Sequence, residues 1–214
     1  MGQGYIIIII DNNVYLRWCM DIGNLKRLRK KRFFSTRDVQ DIFNINAASS
    51  RVLCTRYVQK GIFLRLKKDM YVLEDVFEYM TGYDMMILSN YIQVPSYVSF
   101  CTALAYYELT TQVQQGYYEC AAVKRSVQYE VEDRIFVYHK VREGLFCGFE
   151  KKEDLFIALP EKALLDTAYL CSLGRYNADF SAIDFEKVDW EKVESFSADF
   201  PKQTRLFLEK TCRI

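Results

Sequence analysis

Residues 33–74 run FFSTRDVQDIFNINAASSRVLCTRYVQKGIFLRLKKDMYVLE. Ser35 or Thr36 can cap a helix over residues 37–43, where Val39, Ile42 and Phe43 recur at helical spacing and point inward. Asn44-Ile45-Asn46 makes a turn, because asparagine tolerates positive φ, and Ile45 plugs the space between two helices. The next helix spans residues 47–60 and buries Ser50, Leu53, Cys54, Tyr57 and Val58; Gly61 ends it with a left-handed cap. Residues 62–66, a Lys67-Lys68-Asp69 turn and residues 70–73 then form a hairpin.

That spacing leaves Ala48, Ser49, Arg51, Val52, Thr55 and Arg56 on the outer face of the longer helix. Small residues permit close approach to a major groove, arginine forks onto guanine, and threonine or valine touches thymine methyls. Ser49, Arg51 and Thr55 are the best base readers, with Arg56 beside them. Arg65, Lys67 and Lys68 in the hairpin are candidate phosphate contacts, and Thr36 and Arg37 at the start of the shorter helix complete the candidate DNA-binding set. Helix, turn, helix and basic hairpin together predict a winged helix-turn-helix, a layout that also occurs in protein-contact modules.

Charge is distributed to match. Residues 21–75 hold 13 Lys and Arg against 6 Asp and Glu, whereas residues 76–214 hold 15 against 21, so the net +1 of the 214-residue chain hides a basic amino-terminal third on an acidic body. Only the first part suits a polyanion. Upstream, Tyr15, Trp18, Cys19, Ile22, Leu25 and Leu28 recur at steps of three and four as one helical stripe, and Lys26, Arg27, Arg29, Lys30, Lys31 and Arg32 crowd its end. Those cations either complement the helix dipole in solvent or contact phosphate. The run Ile6–Ile10 favours a covered strand; either it belongs to the fold, or Met20 is the natural start.

Seven scattered cysteines without a C-x-x-C pair, and a single histidine, offer no zinc set and fit reduced thiols in a cytoplasm. Six apolar residues from Tyr5 lack a basic flank and fall well short of the ~18 that span a bilayer, so neither a signal peptide nor a membrane is expected.

Beyond residue 75 a helix starting at Val76 or Asp84 leads into a second domain. A helix over residues 100–108, with Ser99 as its cap, precedes segments 117–123, 127–131, 135–141, 145–149 and 155–158, which read as short, mostly antiparallel strands. Pro160 opens a strong helix that ends near Gly174, and two amphipathic helices separated at Pro201 follow. The expected class is therefore α+β: an extension over 1–19, a winged helix-turn-helix over 20–75, and over 76–214 a mixed α+β domain with carboxy-terminal helices.

The phrase Pro95-Ser96-Tyr97-Val98-Ser99 followed by Ala103–Leu109, then Phe136–Lys140, Phe146–Phe149 and Ile157–Asp166, resembles the AbiEi antitoxins of type IV toxin-antitoxin (abortive infection) pairs. The likeness covers roughly residues 20–172, and Pro160-Glu161-Lys162-Ala163-Leu164-Leu165-Asp166 is its most specific piece. It implies that the winged helix binds double-stranded DNA at repeats in its own promoter and represses that operon. It implies also that the second domain counters a nucleotidyltransferase-like toxin without requiring a stable complex.

Catalytic motifs are scarce: no phosphate-binding loop, nucleophile elbow, zincin or dinucleotide fingerprint follows a strand, so no enzyme, cofactor or metal is expected. His139 reads as a sheet histidine. Asp133 with Glu150-Lys151-Lys152 is the one nuclease-like set, and it requires both carboxylates at adjacent strand ends, whereas these residues read as charged turns. On the Pro160 helix, the dipole accounts for Glu161 and solvation for Lys162. A nuclease-like enzyme targeted by the winged helix and a plain repressor with a sensing domain are the alternatives.

Overall fold

The computed structural model describes residues 22–112 and 114–212, so the isoleucine run, the alternative start at Met20 and the first half of the amino-terminal stripe lie outside the described residues. The chain is mixed α+β and divides into two compact units, Met1–Tyr79 and Met80–Ile214. The division falls a few residues beyond the expected boundary at Asp75, because a short helix over Glu74–Glu78 packs back on the hairpin and buries Phe77 in the first unit.

In the first unit, helix α1 includes residues 22–28, and α2 (Thr36–Phe43) and α3 (Ala47–Gln59) follow. Ser35, not Thr36, caps α2: its hydroxyl accepts from the Asp38 N–H, and the Asp38 carboxylate accepts from the Ser35 N–H at 2.8 Å. Asn44 ends α2 in the left-handed region at φ 52°, and the Asn46 side chain caps α3 by accepting from the Ser49 N–H at 2.9 Å. Gly61 at φ +68° reverses the chain after α3, where the Ile62 N–H reaches the Tyr57 carbonyl. Strands β1 (Phe63–Lys67) and β2 (Met70–Leu73) pair antiparallel, and α4 (Glu74–Glu78) closes the unit. Phe34 exchanges two 2.8 Å backbone bonds with Tyr71, so the chain entering α2 is tied to the hairpin. Leu28, Phe34, Val39, Cys54, Tyr57, Phe63, Tyr71 and Leu73 form the core, with the Phe63 ring edge-on to Phe34 and Tyr57 at 4.8 and 5.0 Å.

The second unit is built on a six-stranded sheet. In chain order its elements are α5 (Gly82–Ile92), β3 (Ser96–Val98), α6 (Phe100–Tyr106), β4 (Tyr117–Ala122), β5 (Val127–Val131), β6 (Arg134–Lys140), β7 (Phe149–Lys152), β8 (Leu155–Ala158), α7 (Pro160–Ser172), α8 (Trp190–Ser197) and α9 (Lys202–Cys212). Strand order is β5-β6-β4-β3-β8-β7. Three pairings are antiparallel, and β3·β8 and β4·β6 are parallel, so the sheet is more mixed than the strand run alone predicts. The parallel contacts join strands that are not neighbours in sequence: β5 separates β4 from β6, and α6 with four strands separates β3 from β8.

Side-chain alternation sorts the two faces. Cys120 and Tyr138 point to α5, where Sγ and the phenol bond Ser89 at 3.2 and 2.6 Å. Tyr97 and Glu119 point the other way, Tyr97 to Asp166 on α7 and Glu119 to His139 and Tyr176. Two sequence expectations shift. The helix from Val76 or Asp84 is two helices, broken by the Thr81–Asp84 capping box that starts α5. Residues 145–149 are not a strand: residues Glu143–Leu145 form a 3-10 turn, and the strand begins at Phe149 and runs through the charged Glu150-Lys151-Lys152. An edge strand tolerates that charge, since one side of it faces solvent.

Candidate nucleic-acid interface

Helix α3 is amphipathic as its spacing predicts. Ser50, Cys54 and Tyr57 are buried, whereas Ala47, Ala48, Ser49, Arg51, Val52, Thr55, Arg56 and Gln59 are exposed along one face. Arg51 and Arg56 make no ion pair with any described residue, so both guanidinium groups keep their donors for an external acceptor. The Thr55 hydroxyl donates to the Arg51 carbonyl at 3.0 Å, which ties it to its own helix. Val52 is 58% exposed, an apolar side chain left in solvent between two arginines of the same helix.

Hairpin and α2 meet at one point. The Asp69 carboxylate at the hairpin turn accepts from the Thr36 N–H at 2.9 Å and from its hydroxyl at 2.5 Å. Thr36 is therefore committed to the hairpin and is half-buried, while its neighbour Arg37 is exposed. Arg65 and Lys68 are exposed on the hairpin, and Arg65 Nε reaches the Lys67 carbonyl at 3.4 Å. Lys67 is half-buried, so it is less available than Lys68.

The basic end of α1 is partly spent on intramolecular bonds. Arg27 donates to the Ile42 carbonyl at 3.2 Å, Arg29 pairs with Asp75, and Lys31 pairs with Asp38. Burial works to raise the Asp38 carboxyl, but Lys31 and the Ser35 N–H and hydroxyl outweigh it and hold the group below the usual carboxylate range. Lys26 and Lys30 stay exposed without an acidic partner among the described residues.

In the second unit the chemistry departs from its sequence pattern. Lys162 is fully buried, not solvated. Its Nζ pairs with Asp166 one turn on, donates to the Tyr97 hydroxyl at 2.8 Å, and lies over the Tyr97 and Phe200 rings. Asp166 accepts also from Tyr97 at 2.9 Å and from Ser99 at 2.8 Å, so Ser99 precedes α6 without capping it through its hydroxyl. Burial and the Asp166 charge push the Tyr97 phenol well up. Gly148, at φ +67°, runs against the lysine stem: an added Cβ would come within 3.0 Å of Lys162 Cγ. The i,i+4 spacing of Lys162 and Asp166 is the one signal in the sequence that marks this pair.

His139 lies in β6, as expected, with Nε2 at 3.2 Å from the buried Glu119 carboxylate, which also accepts from the Tyr176 phenol at 2.9 Å. Burial and the neighbouring Glu119 charge push that phenol up. Asp133 and Glu150 are not brought together. Asp133 sits in the β5–β6 turn and Glu150 in β7, at opposite ends of the strand order, which puts four strand spacings, roughly 19 Å, between β6 and β7. Glu150 pairs instead with Lys152 at 3.1 Å and accepts from Tyr107, whose phenol burial and these charged neighbours leave at about 12. Among the described residues no group of three or more His, Cys, Asp and Glu has metal-holding geometry, and no helix is long and apolar enough to cross a membrane. Comparison with family models and with curated proteins gives no match.

Proposed function

We propose that the chain is a cytoplasmic DNA-binding antitoxin of a type IV pair. On this reading the first unit is a winged helix-turn-helix that represses its own operon, and the second unit counters a nucleotidyltransferase-like toxin without catalysis. One observation carries the DNA half: the exposed face of α3 presents small residues at its start and two unpaired arginines, beside a hairpin with exposed Arg65 and Lys68. Side chains of these types read base edges and hold phosphate, respectively. The toxin half rests on the resemblance of the Tyr97, Ser99 and Pro160–Asp166 phrases to the AbiEi antitoxins. Tyr97, Ser99, Lys162 and Asp166 form one buried network, so on this reading these phrases serve the architecture of the second unit.

A plain repressor with a sensing second unit is the alternative with an observation in its favour, a cavity described below. The nuclease-like reading lacks the carboxylate pairing it requires.

Titration of duplex from upstream of the gene, followed by fluorescence anisotropy from 50 to 200 mM salt, tests the DNA half. Replacing Arg65 and Lys68 by alanine is expected to flatten the log K against log salt slope by about two units on every duplex. Equal affinity for upstream and scrambled duplex would reject the autorepressor. Growth rescue from the product of an adjacent nucleotidyltransferase-like gene tests the toxin half, and failure to rescue would reject it.

A further inference from the structure

We infer that the second unit binds a free nucleoside monophosphate in a cavity at the end of the sheet where β4 and β6 begin. The cavity holds about 470 Å³, inside the roughly 300–1,000 Å³ range of small-molecule sites. Its walls come from the start of α5, from α6, from the loop ahead of β4 and from the first residues of β4 and β6.

The lining selects the ligand. Tyr83, Tyr106, Tyr117 and Tyr118 supply ring surface, and no carboxylate among the described residues lines the site, which disfavours an amine or a metal cation. Arg134 is the only cation among the described residues of the wall; Asp133 engages one of its terminal nitrogens, leaving donors for a phosphate. Gln114 and Gln115 bring amide edges that no described residue uses, the complement of a heterocycle with mixed donors and acceptors. Burial pushes the Tyr117 and Tyr118 phenols up, so both stay protonated donors at neutral pH.

The arginine side of the site is fixed before any ligand arrives. Gly116, at φ +71°, lets the loop lie against β6: an added Cβ would stand 2.9 Å from the Asp133 carbonyl, and the Gly116 carbonyl accepts from the Ile135 N–H at 2.7 Å. A planar ring with one anionic group satisfies rings, amides and arginine together. The excess of acid over base in residues 76–214 repels a long polyanion, which favours a single nucleotide over a nucleic-acid strand.

The test is calorimetric titration of the full chain with AMP, GMP, CMP and UMP, with the matching nucleosides, and with ribose 5-phosphate. At least one monophosphate is expected to bind about tenfold more tightly than its nucleoside, the scale of a charge-assisted hydrogen bond. Arg134→Gln should abolish that preference, and Tyr106→Leu should weaken nucleotide and nucleoside alike. Thermal melts by circular dichroism check that both variants fold; should Tyr106→Leu fail to, the half-buried Arg134 position decides the matter by itself. Absence of binding for all four monophosphates at millimolar concentration overturns the proposal. So does binding untouched by Arg134→Gln, or ribose 5-phosphate binding as tightly as the nucleotides. Loss of the phosphate preference on Arg134→Gln supports it. None of these outcomes depends on whether the first unit binds DNA.

Discussion

Arg51 and Lys162 are both basic helical residues, and their surroundings give them opposite consequences. Arg51 stands exposed and unpaired on α3, so its removal leaves the fold unchanged and acts only on what the helix meets. Arg51→Ala is expected to lose ~1–3 kcal/mol on the cognate duplex and little on random DNA in competition anisotropy; equal loss on both would make it a phosphate contact. Lys162 is enclosed, so Lys162→Met leaves Asp166 buried with only two hydroxyl donors. A loss of about 3–5 kcal/mol in urea unfolding is expected. A solvated lysine, as its place in a helix first turn predicts, would lose no more than about 0.5 kcal/mol. Adding Asp166→Leu should recover part of the loss, since the stranded charge goes with it, although Tyr97 and Ser99 then lack their acceptor. The exposure of Arg51 is legible in the sequence and the burial of Lys162 is not, for a physical reason. Exposure follows from the period of one helix, whereas burial of a charge depends on Tyr97 and Phe200, more than thirty residues away on either side.

At the scale of elements, α2 shows how local signals fix a boundary and couple it to pH. The Ser35–Asp38 box satisfies N–H groups that the first helical turn leaves open, and Ser35→Ala should cost the first unit about 1 kcal/mol by thermal melt. The folded Asp38 carboxyl is held below its unfolded value of about 3.9, so its contribution is present above that pH and is lost as the pH falls through the folded value. Melts at stepped pH should therefore show Asp38→Asn less stable than the parent at pH 7, with the gap narrowing below about pH 4. A constant gap would assign the effect to geometry, not charge. Caps of this kind, with Asn46 and Gly61 for α3, are why α2, α3 and the hairpin are legible from sequence to within a residue or two. β7 is less legible, because Glu150-Lys151-Lys152 carries turn-like composition into an edge strand, and three-residue β3 is too short to show a period. The parallel pairings of the sheet depend on which strands meet, which no local pattern encodes.

Across the whole molecule, charge and core divide at nearly the same place. The basic excess ends at Asp75 and the first compact unit at Tyr79, and each unit encloses apolar residues of its own. The candidate DNA face was legible because it lies within about forty contiguous residues, whereas the cavity draws its wall from Met80 to Arg134 and has no sequence signature. A chain ending at Tyr79 carries the entire α3 face, the hairpin and the core beneath them, so it is expected to bind upstream duplex with the salt slope of the full protein. Because the proposed electrostatic contacts belong to α2, α3 and the hairpin, losing the acidic second unit should raise affinity for random duplex slightly at low salt and hardly at all at 200 mM, where a Debye length of roughly 7–8 Å screens it. The same truncated chain should give no protection against the toxin, whose antagonism is proposed to reside beyond Met80. Anisotropy and growth rescue with this one shortened chain therefore separate the two tasks. Retained rescue would place toxin antagonism in the first unit and leave the second with ligand sensing alone. Lost DNA binding in a chain that still melts cooperatively would mean that residues 80–214 contribute contacts, or a second copy, to the reader.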